Sequence, residues 1–339
     1  MGSACLSFRT DGGEVRALQD RCPHRMAPLS LGKVDGDKLQ CLYHGAQFNG
    51  VGRCVAIPGQ SDDPGPGYKV DAYPTAEQYG YIWVWMGDPD KMSEVRPPMT
   101  FAPCDDQSWI GGYGRFEGIK AGYKLINDNL FDITHAEFVH PESFGGEEVR
   151  FYRDAQPGAD FVDRAMTYDV HDEEIVFRTA AVRLEKEVRG PLWAMLLAQS
   201  RGLETWDDPI KFQMEVRWNA PCYTSFHISV WPVDEPDSEP AQIINLHAAV
   251  PETATSSHYF YSSLRSYGDE SMNESFTDAA AFIFGQDKPI LEGQQANIGN
   301  EDLFDLSPKS FRGDRLQLEA RRILDRMLSD EISNSASPG

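Results

Sequence analysis

Two groups of residues in this 339-residue chain have the types and spacing of metal chemistry. Cys22-Pro23-His24 is followed, after sixteen intervening residues, by Cys41-Leu42-Tyr43-His44. Two thiolates and two imidazoles form a complete donor set, and Pro28, Gly32, Gly36 and Gly45 supply turns that let two loops face each other. A structural zinc site can use the same four donors. Zinc fingers, however, tend to keep cysteines in one half and histidines in the other. One Cys and one His in each half suits a [2Fe–2S] cluster, with Cys22 and Cys41 on one iron and His24 and His44 on the other. Imidazoles in place of thiolates raise the reduction potential and let protons accompany electrons.

The second group lies in Asn129-Leu130-Phe131-Asp132-Ile133-Thr134-His135-Ala136-Glu137-Phe138-Val139-His140, which contains D-x2-H-x4-H. Asn129, Asp132 and His135 are three apart and would share one face of a helix. His140 stands about 140° further round an ideal helix than His135. Both imidazoles reach one metal only where the helix is wide, bent or ending. On spacing alone, two unrelated histidines are the plainer reading.

These groups need elements to hold them. From Cys5 to about Pro103 short runs such as Cys5–Phe8, Val15–Leu18, Gln47–Asn49 and Ile82–Trp85 alternate with Gly, Pro and Asp, which predicts a small antiparallel β domain. Asp11-Gly12-Gly13 predicts a hairpin turn. Pro97, Pro98 and Pro103 mark a linker, so the domains are expected at 1–105 and 106–332, with 333–339 a flexible tail. In the second domain a helix is predicted over Ala121–His140. Strands are predicted over Phe161–Val170, Ile175–Arg183, Phe212–Trp218, Ser225–Trp231, Ile243–Val250 and Tyr259–Leu264. Helical patterning returns over Asn273–Ile298, and Leu316, Ala320, Ile323, Leu324 and Met327 form the buried stripe of a last helix. Gly190–Asp208 and Gly268–Asp278 read as loops. The fold class is α+β, an all-β domain followed by an antiparallel sheet flanked by helices.

Composition narrows the function. The formal charge of −22 argues against nucleic acid as a partner, and 41% hydrophobic with 25% charged residues describes a folded protein. It also suits a partner with a basic docking patch, or simply solubility. The longest apolar runs, such as Tyr81–Met86, are far below the ~18–20 residues of a membrane span. Met1–Thr10 shows no secretory signal, so the expected compartment is the cytoplasm. Cys5, Cys54, Cys104 and Cys222 have no spacing partner and read as ordinary thiols.

Cys22-Pro23-His24-Arg25 with Cys41-Leu42-Tyr43-His44-Gly45 resembles the Rieske signature. Gly80-Tyr81-Ile82-Trp83-Val84-Trp85-Met86-Gly87-Asp88-Pro89 resembles the strand that closes the Rieske domain of aromatic-ring oxygenases. Family members often carry Pro where Leu42 stands and an aromatic where Ala46 stands; neither position is a ligand. Only 21 residues precede Cys22, so the expectation is a domain short of an N-terminal strand. The resemblance extends over nearly the whole chain, to the monooxygenase branch of the Rieske non-haem iron oxygenases that includes vanillate and dicamba O-demethylases. It implies a helix-grip-like catalytic domain in which His135 and His140 bind mononuclear Fe(II), leaving positions open for dioxygen. Gln286-Asp287-Lys288-Pro289-Ile290-Leu291-Glu292 resembles the segment of the third ligand, which makes Asp287 the carboxylate, with Glu292 the rival.

The resemblance further implies that Asp132 contacts His135 and His44 of the partner subunit in a homotrimer, forming the electron route, and that Asn129 lies close to the iron. It implies oxidation of a small aromatic acid of the methoxybenzoate kind, by O2, with electrons from NAD(P)H through a separate reductase or ferredoxin. Oxidation of the methyl ether gives a hemiacetal that collapses to a phenol and formaldehyde. The chain has no glycine-rich dinucleotide fingerprint of its own. Ring hydroxylation or N-demethylation would use the same ligands. An electron carrier without mononuclear iron, and a zinc-stabilised interaction protein, are the readings from other classes. His247, and less so His227, is expected to orient the substrate by hydrogen bonding. Leu196, Leu197, Phe226, Ile283 and Phe284 read as core.

Overall fold

A computed structural model describes residues 4–94, 102–144, 166–179, 181–184 and 191–335. The chain divides between Asp105 and Asp106 into two compact units.

The first unit is all-β. Strands β1 (Cys5–Arg9), β2 (Val15–Gln19) and β7 (Ala72–Tyr73) form one sheet in the order β1-β2-β7. β3 (Lys33–Asp35), β4 (Lys38–Gln40), β5 (Gln47–Asn49) and β6 (Cys54–Ala56) form an antiparallel meander, and β8 (Thr75–Gln78) pairs with β9 (Tyr81–Val84). The β1–β2 turn closes with Gly13 N–H donating to the Thr10 carbonyl at 2.9 Å. Phe8, Leu18, Leu29, Leu39 and Phe48 pack into one core that also takes in Cys22 and Cys41. Such small, loop-rich cores are marginal alone, and a bound cluster adds to their stability.

The second unit is an antiparallel sheet of eight strands with helices. β10 (Ile110–Ile119), β11 (Met166–Val170), β12 (Glu174–Thr179), β13 (Val182–Leu184), β14 (Ile210–Asn219), β15 (Tyr223–Pro232), β16 (Ala241–Pro251) and β17 (Ser257–Arg265) run in the order β10-β17-β16-β15-β14-β12-β11, with β13 also on β14. Helices α1 (Tyr123–Phe131), α2 (Pro191–Ser200), α3 (Asn273–Ile298) and α4 (Arg315–Ser335) supply the other layer. Pro97 and Pro98 of the expected linker, and the first five residues of the strand expected at Phe161–Val170, lie outside the described residues.

Four expectations are corrected. Gly190–Asp208 is not all loop: α2 spans Pro191–Ser200, starting on proline at the first helical position, where its missing N–H costs nothing. Gly268–Asp278 is not a loop throughout, because α3 begins at Asn273. The helix expected over Ala121–His140 ends at Phe131. The last helix runs to Ser335, into the stretch read as a tail.

Close packing of α3 on the sheet rests on a missing side chain. β10 carries Gly112 where a Cβ would lie 2.2 Å from Thr277 Oγ1 of α3. From the other side, α4 buries Leu316, Ala320, Ile323 and Leu324 against Phe131, Phe177 and Trp218. α1 is thus held by both α3 and α4, which is what sets the position of the segment following it.

Candidate metal centres and active-site cavity

Cys22 and Cys41 begin two loops built alike. Cys22 N–H donates to the Ala27 carbonyl (2.9 Å) and Met26 N–H to the Cys22 carbonyl (2.9 Å); Cys41 N–H donates to Ala46 (2.8 Å) and Gly45 N–H to Cys41 (3.0 Å). In each loop the fourth residue after the cysteine has positive φ, 57° at Met26 and 77° at Gly45. Glycine meets that demand freely; Met26 meets it under strain. The loops hold both thiols in the core, each 2% exposed, while His24 and His44 stand at the surface with ring centroids 4.5 Å apart.

Among the described residues only His135, His140 and Asp287 bring three ligand atoms within 4.8 Å of one another. The Cys22, His24, Cys41 and His44 donors are spread more widely. One tetrahedral zinc would need its four donors close together at bonds of ~2.0–2.3 Å, whereas a two-iron unit requires the wider spacing. The donor set fits a [2Fe–2S] cluster, sulfur ligands inside and imidazoles outside.

The second centre begins where α1 stops. Asp132 has extended backbone (φ −99°, ψ 99°) and caps a single 3-10 turn, Ile133–His135, which leads into the turn Ala136–Val139 and ends at His140. That break brings both imidazoles to one side, centroids 5.3 Å apart. Asp287 reaches them from α3. Its Oδ1 lies 3.4 Å from His135 Nε2 and 3.4 Å from His140 Nε2, and it accepts a hydrogen bond from Asn129 Nδ2 at 3.2 Å. His140 Nδ1 is 2.9 Å from Gln286 Oε1, an arrangement that places the proton on Nδ1 and leaves Nε2 as the ligand atom.

Burial pushes the Asp287 carboxyl up, and hydrogen bonds from His135 and His140 more than offset it, holding the group down to about 2. Burial lowers His135, but the Asp287 carboxylate, with Asp132 behind it, leaves it raised overall. Two imidazoles against one buried carboxylate are the donors that a non-haem Fe(II) with open positions uses, so the residues fit that ion.

Glu292 is not part of this set: its Oε1 accepts from Lys120 N–H (3.1 Å) and lies 3.9 Å from Lys288 Nζ. Nor does Asp132 hydrogen-bond His135 here. Its carboxylate accepts from the backbone and hydroxyl of Thr134, the usual turn formed by an aspartate two residues before an amide, and His135 Nδ1 is buried beside it without a well-formed bond.

The three ligands sit at one end of a mostly apolar cavity that leaves about 120 Å³ for the centres of water-sized molecules. Trp193, Phe212, Phe226, Phe276, Ile283 and Phe284 form much of its wall, so three residues read as core (Phe226, Ile283, Phe284) face the cavity, while Leu196 and Leu197 are core. His247 is not among the residues lining it. It is buried behind Phe226 and Phe284, its Nδ1 2.6 Å from Tyr259 Oη, its Nε2 unpartnered, and burial takes it down to about 3. His227 pairs with Ser225 Oγ at 2.9 Å, outside the cavity wall. Residues that sequence reasoning missed, Trp193 of α2 and Asn245 and Ser263 of the sheet, carry no signal beyond strand alternation or an unpatterned apolar run.

Comparison with known proteins gives a consistent picture. Residues 1–74 match the Rieske [2Fe-2S] domain and residues 119–330 the vanillate O-demethylase oxygenase C-terminal domain. A vanillate O-demethylase oxygenase subunit of Pseudomonas sp. is 31% identical, over 97% of this chain and 95% of that one. The oxygenase component of chloroacetanilide N-alkylformylase of Rhizorhabdus wittichii is 29% identical, over 98% and 90%. The crystal structure of dicamba monooxygenase bound to 3,6-dichlorosalicylic acid superposes with a TM-score of 0.76 at 28% identity, covering 99% of this chain and 94% of that one. Among the described residues no helix is long and apolar enough to cross a membrane.

Proposed function

The chain belongs to the Rieske non-haem iron oxygenases, in the vanillate O-demethylase branch, as the oxygenase component served by separate electron-transfer proteins; on that premise we propose that it O-demethylates a small methoxylated aromatic of the methoxybenzoate kind. The observation that carries the reading is the convergence of His135, His140 and Asp287 at one end of an apolar cavity of single-ring size. An electron carrier has no use for such a cavity.

In this reading Cys22, Cys41, His24 and His44 hold the cluster, and His135, His140 and Asp287 hold the iron. When bound, the iron supplies dioxygen activation, with electrons from the cluster. The protein's own part is placement and exclusion. Aromatic walls seat the ring and keep bulk water from the reacting C–H bond. Asn129 fixes Asp287 through its hydrogen bond, and Gln286 fixes the His140 ring. Asp132, at the break between α1 and His135, provides the carboxylate facing the electron route. The route is completed by His44 of the partner subunit in a homotrimer. His247 supports the substrate wall as a neutral imidazole, its free Nε2 the hydrogen-bonding end. A cytoplasmic NAD(P)H reductase, directly or through a ferredoxin, supplies the electrons.

The test is turnover of a panel of methoxylated aromatics with NADH and a surrogate reductase, following formaldehyde and incorporation of labelled dioxygen. The expected result is stoichiometric formaldehyde and phenol. His135→Ala should abolish both while keeping the visible spectrum of the cluster. Ring-labelled dihydroxy products without formaldehyde would overturn demethylation, and full function in His135→Ala would overturn the oxygenase assignment of this site.

A further inference from the structure

The cavity wall is apolar except where the iron-binding group and a few sheet residues face it. Three polar side chains from the sheet do so: Thr179, Asn245 and Ser263. Thr179 is spent, its hydroxyl hydrogen-bonded to both the N–H (3.0 Å) and the carbonyl (3.4 Å) of Met214. Asn245 and Ser263 are not. They stand directly opposite each other on β16 and β17, and Asn245 Oδ1 and Ser263 Oγ are buried without a hydrogen-bonding partner. Unpaired buried polar atoms are costly, and natural proteins keep them mainly where a ligand or water completes them.

We infer that the Asn245–Ser263 pair is the polar anchor of the substrate site, and that it takes an uncharged substituent able both to donate and to accept a hydrogen bond, a ring hydroxyl or a carboxamide. This deepens the reading of the cavity as the oxygenase's substrate site and rests on it. Whichever way the Asn245 amide is turned, it offers one donor and one acceptor end, and the Ser263 hydroxyl offers both. A hydroxyl or carboxamide satisfies the acceptor and the donors together. An ionised carboxylate can only accept, so it would leave the amide oxygen orphaned and bring two oxygens with partial and full negative charge together. Among the described lining residues there is no Lys or Arg to compensate that anion. The chemistry thus selects a methoxyarene carrying a second, neutral polar group.

The test is calorimetric binding to the protein holding both metal centres, under anaerobic conditions. The ligands are 2-methoxyphenol, 2-methoxybenzamide, 2-methoxybenzoate and anisole. The wild type should bind the phenol and the benzamide about tenfold or more tighter than anisole, with no such gain for the benzoate. Asn245→Leu and Ser263→Ala should each lose most of that gain while keeping the affinity for anisole, and the ligand-free variants should melt no lower than the wild type, since each removes an unsatisfied group. Equal weakening toward anisole and the phenol would show that the pair acts through shape alone and overturn the inference. A larger gain for the benzoate, lost in both variants, would overturn it in favour of an anion site. If the wild type with its iron in place binds none of the four, the oxygenase reading of the cavity fails and the inference with it. If it demethylates anisole and the phenol alike, and neither variant discriminates, the inference alone fails.

Discussion

Gln286→Leu tests how the iron site is held. Gln286 Oε1 is 2.9 Å from His140 Nδ1, and the His140 ring is only 2% exposed, so water has no room to replace the lost acceptor. Leucine keeps the volume and removes the oxygen. The cost combines a neutral hydrogen bond, about 0.5–1.5 kcal/mol, with the penalty of leaving an imidazole N–H buried and unpaired, about 1–3 kcal/mol. Part of that penalty is met by the ring rotating, and rotation misaims Nε2. Metal affinity should therefore fall about 10- to 100-fold, equivalent to about 1.4–2.8 kcal/mol. The assay is competition for Fe(II) between a chelator and protein stripped of its mononuclear iron, under anaerobic conditions, with cluster absorbance as the internal control. Gln286→Glu, which keeps the acceptor, should bind at least as tightly as wild type. Affinity within twofold of wild type for the leucine variant, or an equal loss in the glutamate variant, would refute the reasoning.

Other outcomes follow from features away from the ligands. His247 titrates near 3 because burial disfavours its cation, against about 6.5 unfolded, so the unfolded state binds more protons between those values. Its contribution is fully present above about pH 6.5 and falls by about 1.4 kcal/mol per pH unit below it. Urea midpoints at about pH 7 and about pH 5 should therefore converge in His247→Gln relative to wild type, and an unchanged pH slope would count against the burial argument. Arg321 of α4 is held by Asp128 of α1 at 2.6 Å and by Asp302 at 3.4 Å, so Arg321→Met should cost about 3–5 kcal/mol by leaving Asp128 buried and uncompensated; adding Asp128→Leu should return most of it in chemical denaturation. Gly112→Ala should lower stability by about 1–3 kcal/mol through its clash with Thr277, and Thr277→Ala should relieve much of that.

The cluster motif was legible because each loop packs its ligands into three or four consecutive residues, so spacing alone carries the donor set. What it did not disclose is that Met26 plays the part of Gly45, because nothing in a methionine marks positive φ. Six strands of the second domain were readable from alternation. β10 was not: four glycines in ten residues look like a breaker, whereas at Gly112 the missing side chain is what admits α3. α2 escaped notice for the opposite reason, since a helix buried through Trp193, Leu196, Leu197 and Ala198 shows little apolar periodicity. The spacing of His135 and His140 foretold a helix that is bent or ending, but could not say that the break falls at Asp132 and turns that carboxylate toward Thr134. Asn245 and Ser263 looked like ordinary strand residues because their significance is their lack of partners, a property of three dimensions.

The interruption at Asp132 divides the iron site into a firm jaw and a soft one. Asp287 sits on a helix of 26 residues anchored on the sheet, whereas His135 and His140 sit on two short turns with few backbone hydrogen bonds of their own. Segments of that kind open at low free-energy cost, and a metal bound across them acts as a staple. Departure of the ion is then a local melting of residues 133–140 that leaves the rest of the domain folded. Reloading is a local refolding against a template, the carboxylate, that never left its place.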